Sequence, residues 1–330
     1  MKLHLYSAAD VHRALPMAEA IIAVKDAYIQ LSAGRVLAPL RTALDVSPTD
    51  VTLVMPFYQA PANGAGGALG LKLVSVFESN VPRGLPLIHS VVLAVDTASG
   101  APLALIEGAT LTAIRTGAAS GAATDALARP DAAVATIFGS GAQARRQLEA
   151  VCTVRPIERV YVYSLEGAEA FAAEMAGAGP IPADVRVAAN PREAVGEADV
   201  ICTATTARTP VFDDADLRPG VHINAIGVFT PDAREIHGAT VRRARVVVDS
   251  IAAALAEAGD LLIPLSAGEI TRDHISTELG QILAGERLGR AGVEQITLFK
   301  SVGVAAQDAA AARVILSNGP ALGLGTVVEL

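Results

Sequence analysis

The sequence feature that most constrains the fold is a glycine-rich turn, Gly139-Ser-Gly-Ala-Gln-Ala144, which directly follows the apolar run 133–138. A helical pattern continues from this turn to Ala150. Gly139 permits a tight turn, Gly141 lets a pyrophosphate approach the backbone, and Ala144 lets the helix pack closely on the strand. The helix N-terminus would donate N–H groups to the phosphates. The pattern predicts dinucleotide binding; the alternative is a glycine turn with a purely structural role.

The segments beyond this turn alternate between apolar runs and helical or loop stretches. A helix is predicted at 168–176, and strands are predicted at 160–163, 185–188, 198–202, 222–226 and 246–248. Such alternation is typical of a parallel, doubly wound sheet.

The residues before the turn predict a different architecture, with helices and antiparallel strands. Ser7 begins a helix that continues to about Ser32 and ends near Gly34, and a further helix covers 116–127. The strands are expected at 52–55, 70–77, 87–95 and 102–106, the last two joined as a hairpin by the turn 96–100. Near the end of the chain, 307–315 is helical in pattern.

Composition excludes several classes of protein for this chain of 330 residues. A net charge of -8, 4% aromatic residues and no tryptophan disfavour nucleic-acid binding. The longest uncharged run contains prolines and glycines, and the N-terminus has no long apolar segment, so we expect a soluble, cytoplasmic protein without membrane association. The two cysteines and six histidines show no metal-ligand spacing, and we predict neither a metal site nor a disulfide.

Three cations lie within or beside apolar segments, where a charge needs a partner. They are Arg41, Lys72 and Arg115, and strand alternation places the Lys72 side chain opposite those of Leu71 and Leu73. Such cations can hold a substrate carboxylate. The alternative is that each pairs with a core acid or extends its charged end to solvent.

The choice of cofactor depends on the end of the second strand of the dinucleotide-binding unit. An acid there binds the ribose hydroxyls of NAD, whereas this chain has Ser164, which favours NADPH by removing repulsion toward a 2′-phosphate. No arginine follows to bind that phosphate, and Glu166 opposes it. NADPH and NADH both stay open.

A second candidate site follows the strand 222–226, because ligands of doubly wound sheets bind at the carboxyl ends of the strands. Thr230-Pro231-Asp232 then predicts a capped helix start. Cys202 either lines a strand end near the cofactor or packs in the core.

Several motifs together resemble the ornithine cyclodeaminase/mu-crystallin family over nearly the whole chain. They include Arg41-Thr42, Met55-Pro56, 69–74, 84–86, 97–104, 115–120, the glycine turn, 222–227, 231–235, 248–250 and 298–303 extended by Gln307-Asp308. The resemblance implies an α/β fold, with a Rossmann doubly wound parallel sheet and an α+β substrate-binding and dimerisation domain. It places the Rossmann domain at 119–305 and the substrate-binding and dimerisation domain at 1–118 with 306–330. It also implies a homodimer.

The resemblance also implies roles for single residues. Arg41, Lys72 and Arg115 match the positions that hold the substrate carboxylate, and Lys72 and Glu257 are the predicted catalytic residues. The predicted cofactor-binding residues are Thr116, Gly139, Ser140, Gly141, Ala142, Gln143, Ser164, Thr203, Ala204, Gly227, Lys300, Ser301 and Gly303.

Two departures from the cyclodeaminase pattern separate branches of the family. Leu53 stands where cyclodeaminases carry a glutamate, and Phe229 stands where they carry a proposed aspartate base. Neither side chain can accept a proton, so both are predicted to form an apolar wall for the substrate. The role of Asp232, catalytic or structural, is left open.

The resemblance, taken with these two departures, implies an NAD(P)H-dependent reductase of a small cyclic imine carboxylate, Δ1-pyrroline-2-carboxylate or its six-membered homologue, giving L-proline or L-pipecolate. The alternative enzymes are an ornithine cyclodeaminase and an alanine dehydrogenase, for which Asp232 or Glu257 would have to act as the base. A third hypothesis is a binding protein without catalysis. An intact cation set beside an intact glycine turn disfavours it.

Overall fold

The structure is a computed structural model that describes residues 2–61 and 67–329. It confirms an α/β fold with one parallel and one mixed sheet. The strands are β1 (Lys2–Tyr6), β2 (Val36–Leu37), β3 (Thr42–Asp45), β4 (Asp50–Gln59), β5 (Ala68–Phe77), β6 (Ile88–Val95), β7 (Pro102–Glu107), β8 (Val134–Phe138), β9 (Arg159–Tyr163), β10 (Val185–Val187), β11 (Val200–Thr203), β12 (His222–Ala225), β13 (Arg245–Val248), β14 (Thr297–Lys300) and β15 (Thr326–Glu329). The α-helices are α1 (Ala8–Ala14), α2 (Met17–Ser32), α3 (Gly108–Leu127), α4 (Ala142–Val154), α5 (Ala168–Met175), α6 (Pro191–Gly196), α7 (Gly238–Arg243), α8 (Ile251–Glu257), α9 (Gly259–Ser266), α10 (Leu279–Leu283) and α11 (Ala305–Ala321).

The chain divides into two compact units, and each contains one of the sheets. The first unit comprises Met1–Arg115 and Val304–Leu330, and the second comprises Thr116–Gly303. The boundary falls inside α3, which begins eight residues before its predicted start at Thr116. The reason is a carboxylate cap: the N–H groups of Ala109 and Thr110 donate to Glu107 at 2.8 and 2.9 Å.

The sheet of the first unit has the order β15-β1-β7-β6-β5-β4-β2, and β3 also pairs with β4. Among its described strands, only β1 and β7 are parallel; the other pairs are antiparallel. The predicted hairpin joins β6 to β7, and its turn is closed by Asp96, whose Oδ1 accepts from Ser99 N at 2.8 Å. Helix α11 packs against β4, β5 and β6, so one face of these strands is buried.

The single helix predicted from Ser7 to about Ser32 is wrong, because the structure has two helices. The first begins as expected, with Ser7 and Asp10 forming a reciprocal capping box. It ends at Leu15, and Pro16 becomes the N-cap of α2 with extended backbone angles. Proline has no N–H to donate, so it interrupts the helical hydrogen bonds and serves well at a helix start.

The sheet of the second unit is parallel throughout, with the order β10-β9-β8-β11-β12-β14-β13. The strand order reverses between β8 and β11, the two strands on either side of the first crossover, and this is where doubly wound sheets bind ligands. The core on one side of the sheet packs Leu148, Val151 and Phe171 against Ile137 and Val162.

The helix predicted to start at Thr230-Pro231 does not form, and a turn occupies Pro231 and Asp232 instead. The N–H groups of Glu235 and Ile236 donate to the buried Asp260 carboxylate at 2.7 and 2.9 Å. Because these side-chain contacts satisfy the backbone, the segment gains nothing from helical hydrogen bonds.

Among the described residues, no helix combines the length and apolarity needed to cross a membrane. Cys152 and Cys202 are both free and buried. Burial raises the pKa of each thiol to about 12.

Candidate active site

The first unit buries a lysine in the middle of its sheet. Lys72 lies in β5, where it pairs with Met55 of β4 and Val92 of β6, and its side chain is only 1% exposed. Strand alternation puts it on the same face as Gly70 and Val74, opposite the exposed Leu73. The structure therefore turns the Lys72 side chain as the sequence predicts, toward the face that α11 covers.

The partner of Lys72 is Asp308, a residue to which sequence reasoning assigned no role. Its oxygens Oδ1 and Oδ2 lie 3.0 and 2.9 Å from Lys72 Nζ, and Oδ1 also accepts from Arg115 Nε at 3.1 Å. Asp308 is fully buried and Arg115 is 5% exposed. One carboxylate thus joins two of the three predicted carboxylate-binding cations.

A second buried side chain completes this network. Gln307 Oε1 accepts from Arg115 Nη1 at 2.5 Å, and Gln307 Nε2 donates to the Tyr28 hydroxyl at 2.6 Å. Gln307 and Tyr28 are both fully buried. The Arg115 guanidinium is therefore held on two sides by successive residues of the first turn of α11.

The cationic cluster, defined here as Arg41, Lys72, Arg115 and Asp308, carries more positive than negative charge. Arg41 precedes β3 and is half-buried. Burial, and then the charge of Arg115, lower the pKa of Lys72 to about 7, although Asp308 opposes the shift; Arg41 lowers it further. Lys72 and Arg115 share one carboxylate, which leaves an electrostatic preference for a further anion, and the charge of Arg41 acts on Lys72 in the same sense.

Leu53 belongs to the same buried face of the sheet. It lies in β4 two residues before Met55, which pairs with Lys72, and it is 6% exposed. The face that carries the Lys72 ammonium is therefore apolar at Leu53 and Met55. No carboxylate stands at this point of β4, as the sequence shows.

In the second unit, the glycine turn has the geometry of a nucleotide-binding loop. Gly139 has φ +105°, and a Cβ built there would lie 2.6 Å from the Ala204 carbonyl oxygen. Gly141 is the N-cap of α4, and a Cβ built there would meet no atom within 4 Å. The first glycine is thus required by the fold, whereas the second leaves space beside the backbone.

The residues around this turn fit a dinucleotide phosphate. The 13-residue helix α4 begins at Ala142 with no side-chain cap on its first N–H groups, and such groups bind anions. The buried Oε1 of Gln143 has no hydrogen-bond partner among the described residues. Ala144 is fully buried, as the predicted close packing of helix and strand requires.

The carboxyl end of β9 lies next to the glycine turn. Ser140 Oγ lies 3.2 Å from Ser164 Oγ and donates to the Glu166 carbonyl at 2.8 Å. The nearby Arg145 pairs bidentately with Glu174, at 2.8 and 2.5 Å. Two hydroxyls therefore lie together at the carboxyl end of β9, and the arginine beside them is paired with a carboxylate.

A buried carboxylate organises the loops after β11 and β12. Glu235 accepts from Thr203 Oγ1 (2.9 Å), Thr205 N (2.8 Å) and Gly227 N (2.8 Å). Burial and the nearby Asp260 raise its pKa. The predicted cofactor residues Thr203 and Gly227 are thereby fixed by an acid that sequence reasoning did not identify.

Lys300, a predicted cofactor residue, is fully enclosed. Its Nζ lies 2.8 Å from Asp260 and donates to the Val228 carbonyl at 2.5 Å. These two contacts assign the ammonium to support of the Val228 segment, and its role at the cofactor stays a prediction.

The neighbouring loop after β14 is held by Asp249. Its Oδ2 accepts from Ser301 Oγ, Val302 N and Gly303 N at 2.8, 3.0 and 2.8 Å. Burial raises the pKa of Asp249 against these hydrogen bonds. Thr116, the remaining predicted cofactor residue, is 7% exposed in α3.

Phe229 and Glu257 lie on adjoining segments of the second unit. Both side chains are partly exposed. Gly259 N donates to the Thr230 carbonyl at 3.1 Å, so the residues after Glu257 pack against those after Phe229. Asp232, in contrast, is exposed and forms an ion pair with Arg208, and its hydrogen bonds to Thr230 and Arg208 lower its pKa. These contacts favour the structural role for Asp232.

Comparison with known proteins adds three findings. The model of the ornithine cyclodeaminase/mu-crystallin family matches residues 1–320. A Δ1-pyrroline-2-carboxylate reductase from Bacillus cereus is 41% identical over 325 residues, covering 98% of each chain. The structure of the Thermococcus litoralis Δ1-pyrroline-2-carboxylate reductase in complex with NADH and L-proline is 42% identical, with a TM-score of 0.93 over 98% of this chain and 99% of the other.

A third relative has a different reaction in its name. An archaeal alanine dehydrogenase dimer with bound NAD is 30% identical, with a TM-score of 0.92 over the whole of both chains.

Proposed function

Because this chain belongs to the ornithine cyclodeaminase/mu-crystallin family, we propose that it reduces Δ1-pyrroline-2-carboxylate, or its six-membered homologue, to the cyclic amino acid with NAD(P)H. The observation that carries this proposal is the cationic cluster, whose excess positive charge suits a small carboxylate. The Bacillus and Thermococcus relatives are both named as reductases of an imine carboxylate, which supports the same reaction class for this chain.

The cations bind and orient the substrate. Arg115 presents a guanidinium already held by Gln307 and Asp308, so its plane is set before any substrate arrives. Arg41 and Lys72 add positive charge to the same cluster. A carboxylate bound by arginine through two parallel hydrogen bonds gains orientation as well as affinity.

Lys72 also has the property needed to supply a proton. With a pKa of about 7, its ammonium is stable enough to persist near neutral pH and acidic enough to release a proton. Reduction adds a hydride to the imine carbon and a proton to the nitrogen. We assign that proton to Lys72, and Glu257 stays a predicted catalytic acid of the second unit.

The residues of the second unit that would hold the cofactor are those around the glycine turn. The N–H groups at the start of α4 would bind the pyrophosphate, and Ser140 and Ser164 would bind the ribose. A bound nicotinamide nucleotide supplies the hydride. The two serines carry no negative charge that would repel a 2′-phosphate, which favours NADPH. Arg145 is already paired with Glu174 and is therefore not available to bind that phosphate, which favours NADH.

The competing reactions are less well supported by the residues present. Ornithine cyclodeamination needs acids at the positions of Leu53 and Phe229, and neither can accept a proton. The likeness to an archaeal alanine dehydrogenase keeps oxidative deamination as the second candidate, with Glu257 as its base.

We also propose a homodimer that buries the face of the first sheet opposite Lys72. Leu44, Tyr58, Leu73 and Leu103 lie on this face by strand alternation, and all four are exposed large apolar side chains. Several exposed apolar side chains on one face of a sheet are typical of an interaction surface. Analytical ultracentrifugation of the wild type and Leu73→Glu tests the proposal, and a monomeric wild type would contradict it. A cytoplasmic location stays a prediction.

The test of the reaction is consumption of NADH and NADPH by the purified protein with each cyclic imine carboxylate. Saturable turnover that yields proline or pipecolate is the expected result, and the ratio of kcat/KM for the two nucleotides decides the cofactor. Reduction of NAD with alanine, without imine turnover, would instead establish the dehydrogenase. Binding without turnover would favour a binding protein.

A further inference from the structure

We propose that Asp308 is a positioning residue, whose buried carboxylate fixes the Lys72 ammonium and the Arg115 guanidinium in the arrangement that receives the substrate. The inference rests on the proposed reduction of an imine carboxylate, because it assigns Asp308 a part in that same site. Asp308 itself is assigned no contact with the substrate, since both of its carboxylate oxygens are already held by Lys72 and Arg115.

The geometry shows a carboxylate shared between two cations. Asp308 Oδ1 accepts from both Lys72 Nζ (3.0 Å) and Arg115 Nε (3.1 Å), and Oδ2 lies 2.9 Å from Lys72 Nζ. The two cations belong to different elements, β5 and α3, so the connectivity of the chain alone does not bring them together. Asp308, on α11, is the residue that connects them.

The surroundings of Asp308 fix it in turn. It lies in the first turn of the 17-residue helix α11, where the helix dipole favours negative charge. Gln307, one residue earlier, is tied to Arg115 and to the Tyr28 hydroxyl. The carboxylate therefore stands on a rigid element, which is the requirement for holding a reacting group in place.

Asp308 also sets the charge balance at Lys72. The groups that face the ammonium are Asp308 on α11, Arg115 on α3 and Arg41 before β3, and the paired residues Met55 and Val92 are apolar. Asp308 is thus the anion that keeps Lys72 protonated against burial and two arginines. Without it, Lys72 would lose its proton at a lower pH.

The experiment compares the wild type with Asp308→Asn and Asp308→Glu by two measurements. The first is the pH profile of kcat/KM for imine reduction. The second is NMR of the lysine side chains labelled with ¹³C at Cε, in which Lys72 is assigned by the resonance that Lys72→Arg removes. The chain has only four lysines, which makes this assignment direct.

In the wild type, Lys72 should titrate near pH 7, and activity should fall as pH rises through that value. Asp308→Asn should move both transitions about 1–3 pH units lower, because an opposite charge at this distance shifts a pKa by that amount. Its kcat/KM should fall about 100-fold through misplacement of the two cations. Asp308→Glu keeps the charge, so it should restore the titration of Lys72 but not the full kcat/KM.

The control is Asp199→Asn in the second unit, which removes another buried carboxylate, one that accepts from Arg129 at 2.6 Å and from the N–H of Ala133 at 2.9 Å. It should leave the titration of Lys72 unchanged. If Asp308→Asn lowers activity equally at every pH while Lys72 still titrates as in the wild type, the proposal is wrong.

Two further outcomes remain decisive. If Asp308→Asn does not fold, Asp308→Glu provides the test. A kcat/KM at least about tenfold lower, with the same pH dependence as the wild type, supports the positioning role. Wild-type kinetics in this variant overturn the proposal. If the wild type reduces no cyclic imine, the proposed function fails, and the NMR titration of Lys72 still tests the role of Asp308.

Discussion

Each unit of the molecule buries a lysine beside an aspartate, and the surroundings of the two pairs differ. Lys72 and Asp308 lie 2.9 Å apart in the first unit, and Lys300 and Asp260 lie 2.8 Å apart in the second; all four side chains are at most 1% exposed. Arg115 contacts the first pair through Asp308, and the charge of Arg41 also acts on Lys72. The second is joined by another acid, Glu235, whose N–H donates to Asp260.

A buried ion pair is therefore functional or structural according to the charges around it. Around Lys72 the positive charges outnumber the negative ones, which favours the binding of an anionic ligand. At Lys300 the ammonium faces Asp260 and the Val228 carbonyl, and with Glu235 as an additional acid there is no excess of positive charge. The first pair is suited to bind, and the second is suited to hold loops together.

The largest expected effect is on stability, at the second pair. Asp260→Asn replaces the buried carboxylate that lies 2.8 Å from Lys300 Nζ and accepts from two backbone N–H groups, so the free energy of unfolding should fall by about 3–5 kcal/mol. Urea unfolding measures it. Asp232→Asn, which breaks the exposed pair with Arg208, should cost less than about 1 kcal/mol. Equal losses in the two variants would remove the distinction between buried and exposed pairs.

The next effect is on catalysis, at the first pair. Lys72→Ala and Arg115→Ala should each lower kcat/KM for the imine by about 100-fold or more, because each removes a charge that binds the substrate carboxylate. Steady-state kinetics measure the loss. Lys2→Ala, which changes an exposed lysine of the same unit, should retain wild-type activity. Full activity in either site variant would show that the cluster is structural after all.

A smaller effect concerns stability against pH. The pKa of Lys72 is about 7 in the folded chain and about 10.4 when unfolded, so between these values the unfolded chain binds the extra proton. Its contribution to stability therefore rises with pH across this window, by at most about 1.4 kcal/mol per pH unit.

Lys72→Met removes this contribution. The difference in unfolding free energy between the variant and the wild type should change from about pH 7.5 to about pH 9.5, with the wild type gaining as pH rises. The two buried thiols titrate in both proteins and cancel in the difference. If the unfolding free energies of the two proteins vary with pH in parallel, burial and the charge of Arg115 do not lower the pKa of Lys72.

The smallest effect is at the glycine turn, where the second unit is expected to bind its ligand. Gly141→Ala adds a methyl group in open space, so stability should change by less than about 1 kcal/mol, while KM for the nucleotide should rise about tenfold. Gly139→Ala should instead destabilise the fold, because its φ is +105° and the methyl would meet the Ala204 carbonyl. An unchanged KM in Gly141→Ala would count against nucleotide binding at this turn.

The sequence predicted the features that depend on local pattern. The glycine turn, the hairpin β6–β7 and the orientation of Lys72 each follow from turn chemistry or from strand alternation within about ten residues. The break at Pro16 also follows from local chemistry, because proline lacks the N–H that the interior of a single long helix would need.

The features that depend on distant residues were not predicted. Asp308 lies 236 residues from Lys72, so no local pattern could pair them. Likewise, Thr230-Pro231 has the composition of a helix start, and only the contacts of Glu235 and Asp260, 25 residues apart, explain why a turn forms. The clue to Asp308 was the motif Gln307-Asp308, whose acid needed a buried cation as its partner.

The division of the first unit along the chain has a consequence for synthesis. Residues 116–303 are complete before the ribosome makes α11 and β15, so the second unit can fold while the first still lacks the helix that covers its sheet and the strand that pairs with β1. Until then Lys72 and Arg115 cannot donate to the Asp308 carboxylate. The residues that are translated after the second unit are therefore the ones that allow the first sheet to bury its charges.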